Sequence, residues 1–201
     1  SSLQADESMD ILTAAMEGFN IEASNSVQII DKLNEVDNNF AIDTQRLARA
    51  MMKSSSTAAI YGATLDELLG MVAAIGITTR ESGEIIGNSL KTIFSRIGMS
   101  EAQDALNELG ISVKDATGDM RDITDILNDL AERWDSLSRE QQQNIGVLMA
   151  GRFQLSRFLT LMEQWDTALK VTETSLNSQG SAMIEQEKYA QSLEARLNRL
   201  S

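Results

Sequence analysis

Gly62-Ala-Thr-Leu-Asp-Glu-Leu-Leu-Gly-Met-Val-Ala-Ala-Ile-Gly76 is the stretch that decides the fold class. A glycine able to take the left-handed conformation closes one helix, and Thr64, two residues on, caps the next. Glu67 is placed to return to the cap's backbone N–H. The helix that follows carries Leu65, Leu68, Leu69, Met71, Val72 and Ile75 on more than one side, which suits the centre of a bundle. The tile recurs as Gly76-Ile77-Thr78-x-x-Glu81 and Gly98-Met99-Ser100-x-x-Gln103, so each is expected to be a helix-to-helix corner. Ser138-x-x-Gln141 adds a further capping box, and Gly110 is expected to end the helix begun after Ser100.

Outward from these corners, apolar residues recur at helical spacing. Met9, Leu12, Met16 and Phe19 form one row, Val27, Ile30, Leu33 and Val36 a second, and Ile123, Ile126, Leu127, Leu130, Trp134 and Leu137 a third. One short piece departs from this period. Ile111-Ser112-Val113 alternates, residues 115–119 are turn-rich, and Met120-Arg121 follows, which predicts a minimal β-hairpin over 111–121 before a cap at Asp122. From Ser181, the spacing of Met183, Gln186, Ala190, Leu193, Leu197 and Leu200 makes a heptad seam with no stop signal after it. The reading is an all-α, multi-helix bundle with one small hairpin and a C-terminal heptad-patterned helix. It divides into an N-terminal helix (1–22), a helical core module (23–178) and a coiled-coil-like helix (179–201) expected to continue in a longer parent chain.

Composition excludes more than it proposes. The 201 residues include no Pro, no Cys and no His, 42% are apolar, and the aromatics are two Trp, two Tyr and five Phe, a profile of helix and not sheet. Lys+Arg 17 against Asp+Glu 30 gives a net charge of -13, which repels a broad contact with nucleic acid, and no direct binding to it is expected. The longest apolar stretch, Leu68 to Ile77, is broken by Gly70 and Gly76 and falls short of the roughly 20 residues that span a bilayer. With no initiator Met and no signal-peptide pattern, the chain reads as an excerpt.

Catalysis by Ser-His-Asp or Cys-His and zinc bound by His require residues this chain lacks. Lys91-Thr92 has no preceding glycines to cradle a phosphate. Asp115, Thr117 and Asp119 resemble the opening of a calcium loop, but Met120 and Ile126 stand where Gly and Glu are needed, so a plain turn is expected. Asp119, Asp122, Asp125 and Asp129 fit dipole partners and a solvated helix face. Glycosidic cleavage would need a carboxyl of raised pKa in an aromatic-lined cleft, whereas Trp134 and Trp165 lie on apolar stripes. No catalytic residue, cofactor or metal is expected. Gly83 and Gly87, in line with Leu90 and Phe94, open a groove for close helix approach, either inside the bundle or as an intersubunit seam. Met183, Ala190, Leu193, Leu197 and Leu200 are the candidate coiled-coil seam.

Three blocks carry a resemblance to a known family. They are Tyr61 to Gly76, then Gly87-Asn-Ser-Leu-Lys-Thr-Ile-Phe-Ser-Arg-Ile97, and then Leu106-Asn-Glu-Leu-Gly-Ile-Ser-Val113 followed by Gly118-Asp-Met-Arg121 and Ile126-Leu-Asn-Asp-Leu130. Gly146 to Met162 continues the likeness, with Ala150-Gly151-Arg152 where a small-Gly-basic turn stands. Over about residues 24–165 the chain resembles the core region of bacteriophage tail tape measure proteins. The resemblance implies a scaffold in the lumen of a phage tail or phage-tail-like particle, acting in tail assembly, length determination and genome delivery. It implies as partners other tape measure copies in a homo-oligomer, tail tube and baseplate-hub proteins and tail assembly chaperones. Location would be the virion, after assembly in the host cytoplasm, with membrane contact only through other parts of the parent. The alternatives are a muralytic or membrane-penetrating module used in genome entry, and an unrelated cytosolic helical adaptor.

Overall fold

The computed structural model describes residues 5–181 together with 183, 184, 186 and 187, and the side chains of residues 5–9 fall outside it. Nine α-helices follow in order among the described residues, and no strand is present there. They are α1 (Ala5–Phe19), α2 (Ser26–Asn39), α3 (Thr44–Ile60), α4 (Leu65–Thr79) and α5 (Gly83–Ile97), then α6 (Ser100–Glu108), α7 (Ile123–Trp134), α8 (Arg139–Glu163) and α9 (Trp165–Leu176).

The centre is α4. Its capping box forms as the residues dictate: the Thr64 hydroxyl accepts from Glu67 N–H, and the Glu67 carboxylate accepts from Thr64 N–H at 2.7 Å. Behind that cap every residue from Leu68 to Gly76 is buried, with α3, α5, α8 and α9 packed around it. Thr64→Ala removes the hydroxyl arm of the box, leaving only the backbone N–H bond to Glu67, and is expected to cost about 1 kcal/mol. Urea denaturation checks this, and an unchanged midpoint would mean that burial alone fixes the helix start.

Of the expected corners, Gly62 turns with φ 81, Gly110 with φ 73, and Ser138 forms its capping box with Gln141. Gly76 does not turn. α4 runs through it to Thr79 because Gly76 is buried, with room for a Cβ only 2.7 Å from Ile42 Cδ1. Arg80 takes the left-handed conformation instead (φ 58), its guanidinium donating to Ala41 O at 3.0 Å. Gly98 stays right-handed (φ -71), and the α5–α6 corner is fastened by the Gln103 amide, which donates to Gly98 O.

The hairpin expected over 111–121 is not formed. Lys114 and Met120 make one antiparallel bridge, which does not propagate. Ile111 and Val113 are committed to the core, and the Asp115 carboxylate accepts from Thr117 N–H, Thr117 Oγ1 and Asp119 N–H, so local side-chain bonds compete with a ladder. Asp122 precedes α7 without a side-chain cap.

The rows of the other helices mostly face the core. Ile123, Ile126, Leu127, Leu130 and Trp134 are buried, and Leu137 packs against them. In α2 the buried row is Ile29, Leu33 and Val36, leaving Val27 and Ile30 exposed, because the helix is wedged between α1, α3 and α9. In α1, Ile11 and Ala15 are the fully buried pair, with Leu12, Met16 and Phe19 half-buried beside them.

Candidate functional site

Gly83, Gly87, Leu90 and Phe94 lie along the buried side of α5, against α3. A Cβ added at Gly87 would stand 2.5 Å from Ala50 O and 2.8 Å from Lys53 Cβ, so two helix backbones meet there with nothing between them. Leu90 and Phe94 continue the row into the core with no exposed surface. Of the heptad positions, Met183 is on a described helical residue and 75% exposed, while Ala190, Leu193, Leu197 and Leu200 lie outside the described residues.

Polar staples hold the outer helices onto this frame. Lys32 Nζ lies 2.5 Å from Asp66 Oδ1, and the same oxygen accepts from Ser175 Oγ at 2.5 Å, joining α2, α4 and α9. Asp31 accepts from Gly180 N–H, and Ser181 Oγ donates to Glu35, which ties the residues after α9 to α2. Glu81 and Arg157 pair α8 with the loop before α5, and Arg49 pairs with Glu84 at 3.2 Å. The Glu84 carboxyl is held below its usual range by its own backbone N–H at the helix start, with Ser82 and Arg49 adding to the effect. Sequence reasoning missed these staples, since a lone Lys or Asp on a helix carries no mark of its distant partner.

The break within α8 falls at Gly151 (φ 70, ψ 169), the small-Gly-basic turn. Arg96 of α5 caps the carbonyls left by that break, its Nε donating to Leu148 O at 3.0 Å. Phe153, two residues past the break, is 90% exposed. At the C-terminal end of the same helix, α7 and α9 bound a groove of about 270 Å³ lined by Trp134, Trp165, Leu169 and four carboxylates.

Among the described residues no group of His, Cys, Asp and Glu could hold a metal ion, and no helix is long and apolar enough to cross a membrane. Excess chelator is therefore expected to leave the melting temperature unchanged, and a fall of several degrees in calorimetry would reveal a metal the fold depends on.

The described residues thus form an all-α bundle of tightly packed helices, stapled at its edges. The model of the phage-related minor tail protein family matches residues 1–151, and the chain belongs to that family. It is 25% identical over 199 residues to the tape measure protein of Pneumococcus phage Dp-1, covering 96% of this chain and 17% of that protein. It is 26% identical over 127 residues to the probable tape measure protein of Escherichia phage P2, covering 62% of this chain and 16% of that protein. The chain thus spans about a sixth of the length of these relatives. No solved structure matches it. The relatives' names agree with the resemblance read from the sequence, and the fold of the described residues is all-α.

Proposed function

We propose that the chain is a folded segment of a tail tape measure protein, acting without catalysis in tail assembly, length determination and genome delivery. The observation that carries this reading is the alignment of nearly the whole chain, 96% of it, with a tape measure protein, in a family of minor tail proteins. The segment works as a globular scaffold, with residues 23–178 as its core module and the seam of Met183, Ala190, Leu193, Leu197 and Leu200 leading into further helix. Its place is the tail lumen, after assembly in the host cytoplasm. Its partners are further copies, tube and baseplate-hub proteins and assembly chaperones.

An in-frame deletion of the segment from its parent gene tests the role, with particles examined by negative-stain electron microscopy. Tails that are absent or altered in length are expected. Particles with normal tails and normal infectivity would overturn it. Clearing of purified cell walls or release of dye from liposomes by the isolated segment would favour the muralytic or membrane-penetrating alternative.

A further inference from the structure

We propose that copies of this chain dock head to tail, the Phe153 ring of one entering the acid-rimmed groove between α7 and α9 of the next. A single exposed hydrophobe needs no explanation in general, but the charges around this one are unusual for the molecule. Residues 141–162 contain no Asp or Glu, although the chain holds 30 of them. Arg152 is exposed beside Phe153, and Gln154 lines a shallow depression with Lys91, Arg96 and the half-exposed Met99. Neither Lys91 nor Arg152 has an ion-pair partner among the described residues. An apolar knob therefore stands in a basic setting on a strongly acidic protein.

The groove has the opposite character. Trp134 and Trp165 line it but are themselves buried, the half-exposed Leu169 is its apolar surface, and Glu132, Asp135, Glu163 and Asp166 rim it with no Lys or Arg in its lining. The Trp165 indole N–H is already satisfied by Asn128 Oδ1 at 3.0 Å, so what the groove offers a guest is the Leu169 side chain and the acidic rim. Arg152 and Lys91 supply the charge that such a rim attracts, and an aromatic anchor flanked by Arg is the residue pairing that dominates binding at interfaces. A nucleic-acid occupant of the basic side fits less well, because the cations are few and the whole molecule carries -13.

Knob and groove cannot meet within one molecule. Phe153 and Met162, which lines the groove, are nine residues apart on one helix, about 14 Å at 1.5 Å per residue. Two different patches that cannot reach each other within one molecule make a heterologous contact, which adds copies in one direction unless the rotation closes a ring. The inference supplies a contact between copies of the proposed tail component. It is measured on the isolated chain, so its failure leaves the deletion experiment above unaffected.

Sedimentation velocity tests it over a concentration series in about 50 mM and about 500 mM NaCl, with folding of each variant confirmed by circular dichroism. The wild-type chain is expected to grow beyond a dimer with concentration at low salt and to dissociate at high salt. Phe153→Ala is expected to weaken association at least about tenfold, and the pair Glu132→Lys with Glu163→Lys, which reverses the rim, to do the same. Mixed one to one, the two variants retain one intact groove and one intact knob, and are expected to form a dimer that grows no further. A wild-type chain that stays monomeric at low salt, a Phe153→Ala chain that associates like wild type, or mixed variants that fail to pair would each overturn the proposal.

Discussion

Gly87→Leu is expected to lower the unfolding free energy by about 3 kcal/mol, the upper end of what overpacking usually costs. The position leaves no cheap relaxation. An added Cβ meets the backbone carbonyl of Ala50 at 2.5 Å, and α3 cannot retreat because Leu47, Ala50 and Met51 are fully buried. Better helix propensity returns less than about 1 kcal/mol. Elsewhere on α3, Ser56→Ala is a control at an exposed position and is expected to change stability by less than about 0.5 kcal/mol. Chemical denaturation of both variants decides the matter, and coincident midpoints would mean that the close approach of α3 and α5 is not what holds them.

Asp66→Ala is expected to cost about as much, roughly 3 kcal/mol, by a different route. The carboxylate is the shared partner of the Lys32 ammonium and the Ser175 hydroxyl, and its removal strands a charge that is only 17% exposed. Because the pair is not wholly desolvated, the lower end of the range for buried pairs applies. In a chain of this size that corresponds to a fall in melting temperature of roughly 6–12 °C. Replacing both charges, Lys32→Met with Asp66→Leu, removes the stranded ammonium and is expected to restore most of the loss. Calorimetry on the single and double variants measures the difference. A double variant no more stable than Asp66→Ala would assign the cost to packing around Asp66 instead of to the uncompensated charge.

What the sequence disclosed follows from how local each feature is. The Thr64 and Ser138 capping boxes are written within four residues, and both form. The apolar run after Thr64 marks a central helix, since no other placement hides Leu65, Leu68, Leu69, Met71, Val72 and Ile75 together. The corner expected at Gly76 failed because the same residue serves two purposes. A glycine that permits a turn also permits close packing, and burial beside Ile42 decides between them only in three dimensions. Gly70, buried against α9, carries the same ambiguity, since in sequence it reads only as an interruption of the apolar run. The hairpin failed for want of neighbours, since one bridge between Lys114 and Met120 has no third strand to extend it. The acid-rimmed groove draws Glu132 from α7, Asp135 from just beyond its end, Glu163 from α8 and Asp166 from α9, and no local pattern brings these together.

The central claim is that this part of the tail protein is a folded module of packed helices and not a stretch of extended ruler. Small-angle X-ray scattering on the isolated chain, diluted and at high salt so that it is monomeric, tests it most directly. A continuous helix of 201 residues would be about 300 Å long, with a radius of gyration near 85 Å. The turns at Gly62 and Gly110, the reversal at Arg80 and the break at Gly151 fold the chain back on itself instead. A compact domain of this length has a radius of gyration of about 17 Å, and with a projecting last helix the expected value lies between roughly 17 and 28 Å. A monomer above about 50 Å would contradict the account and make the segment itself part of the ruler.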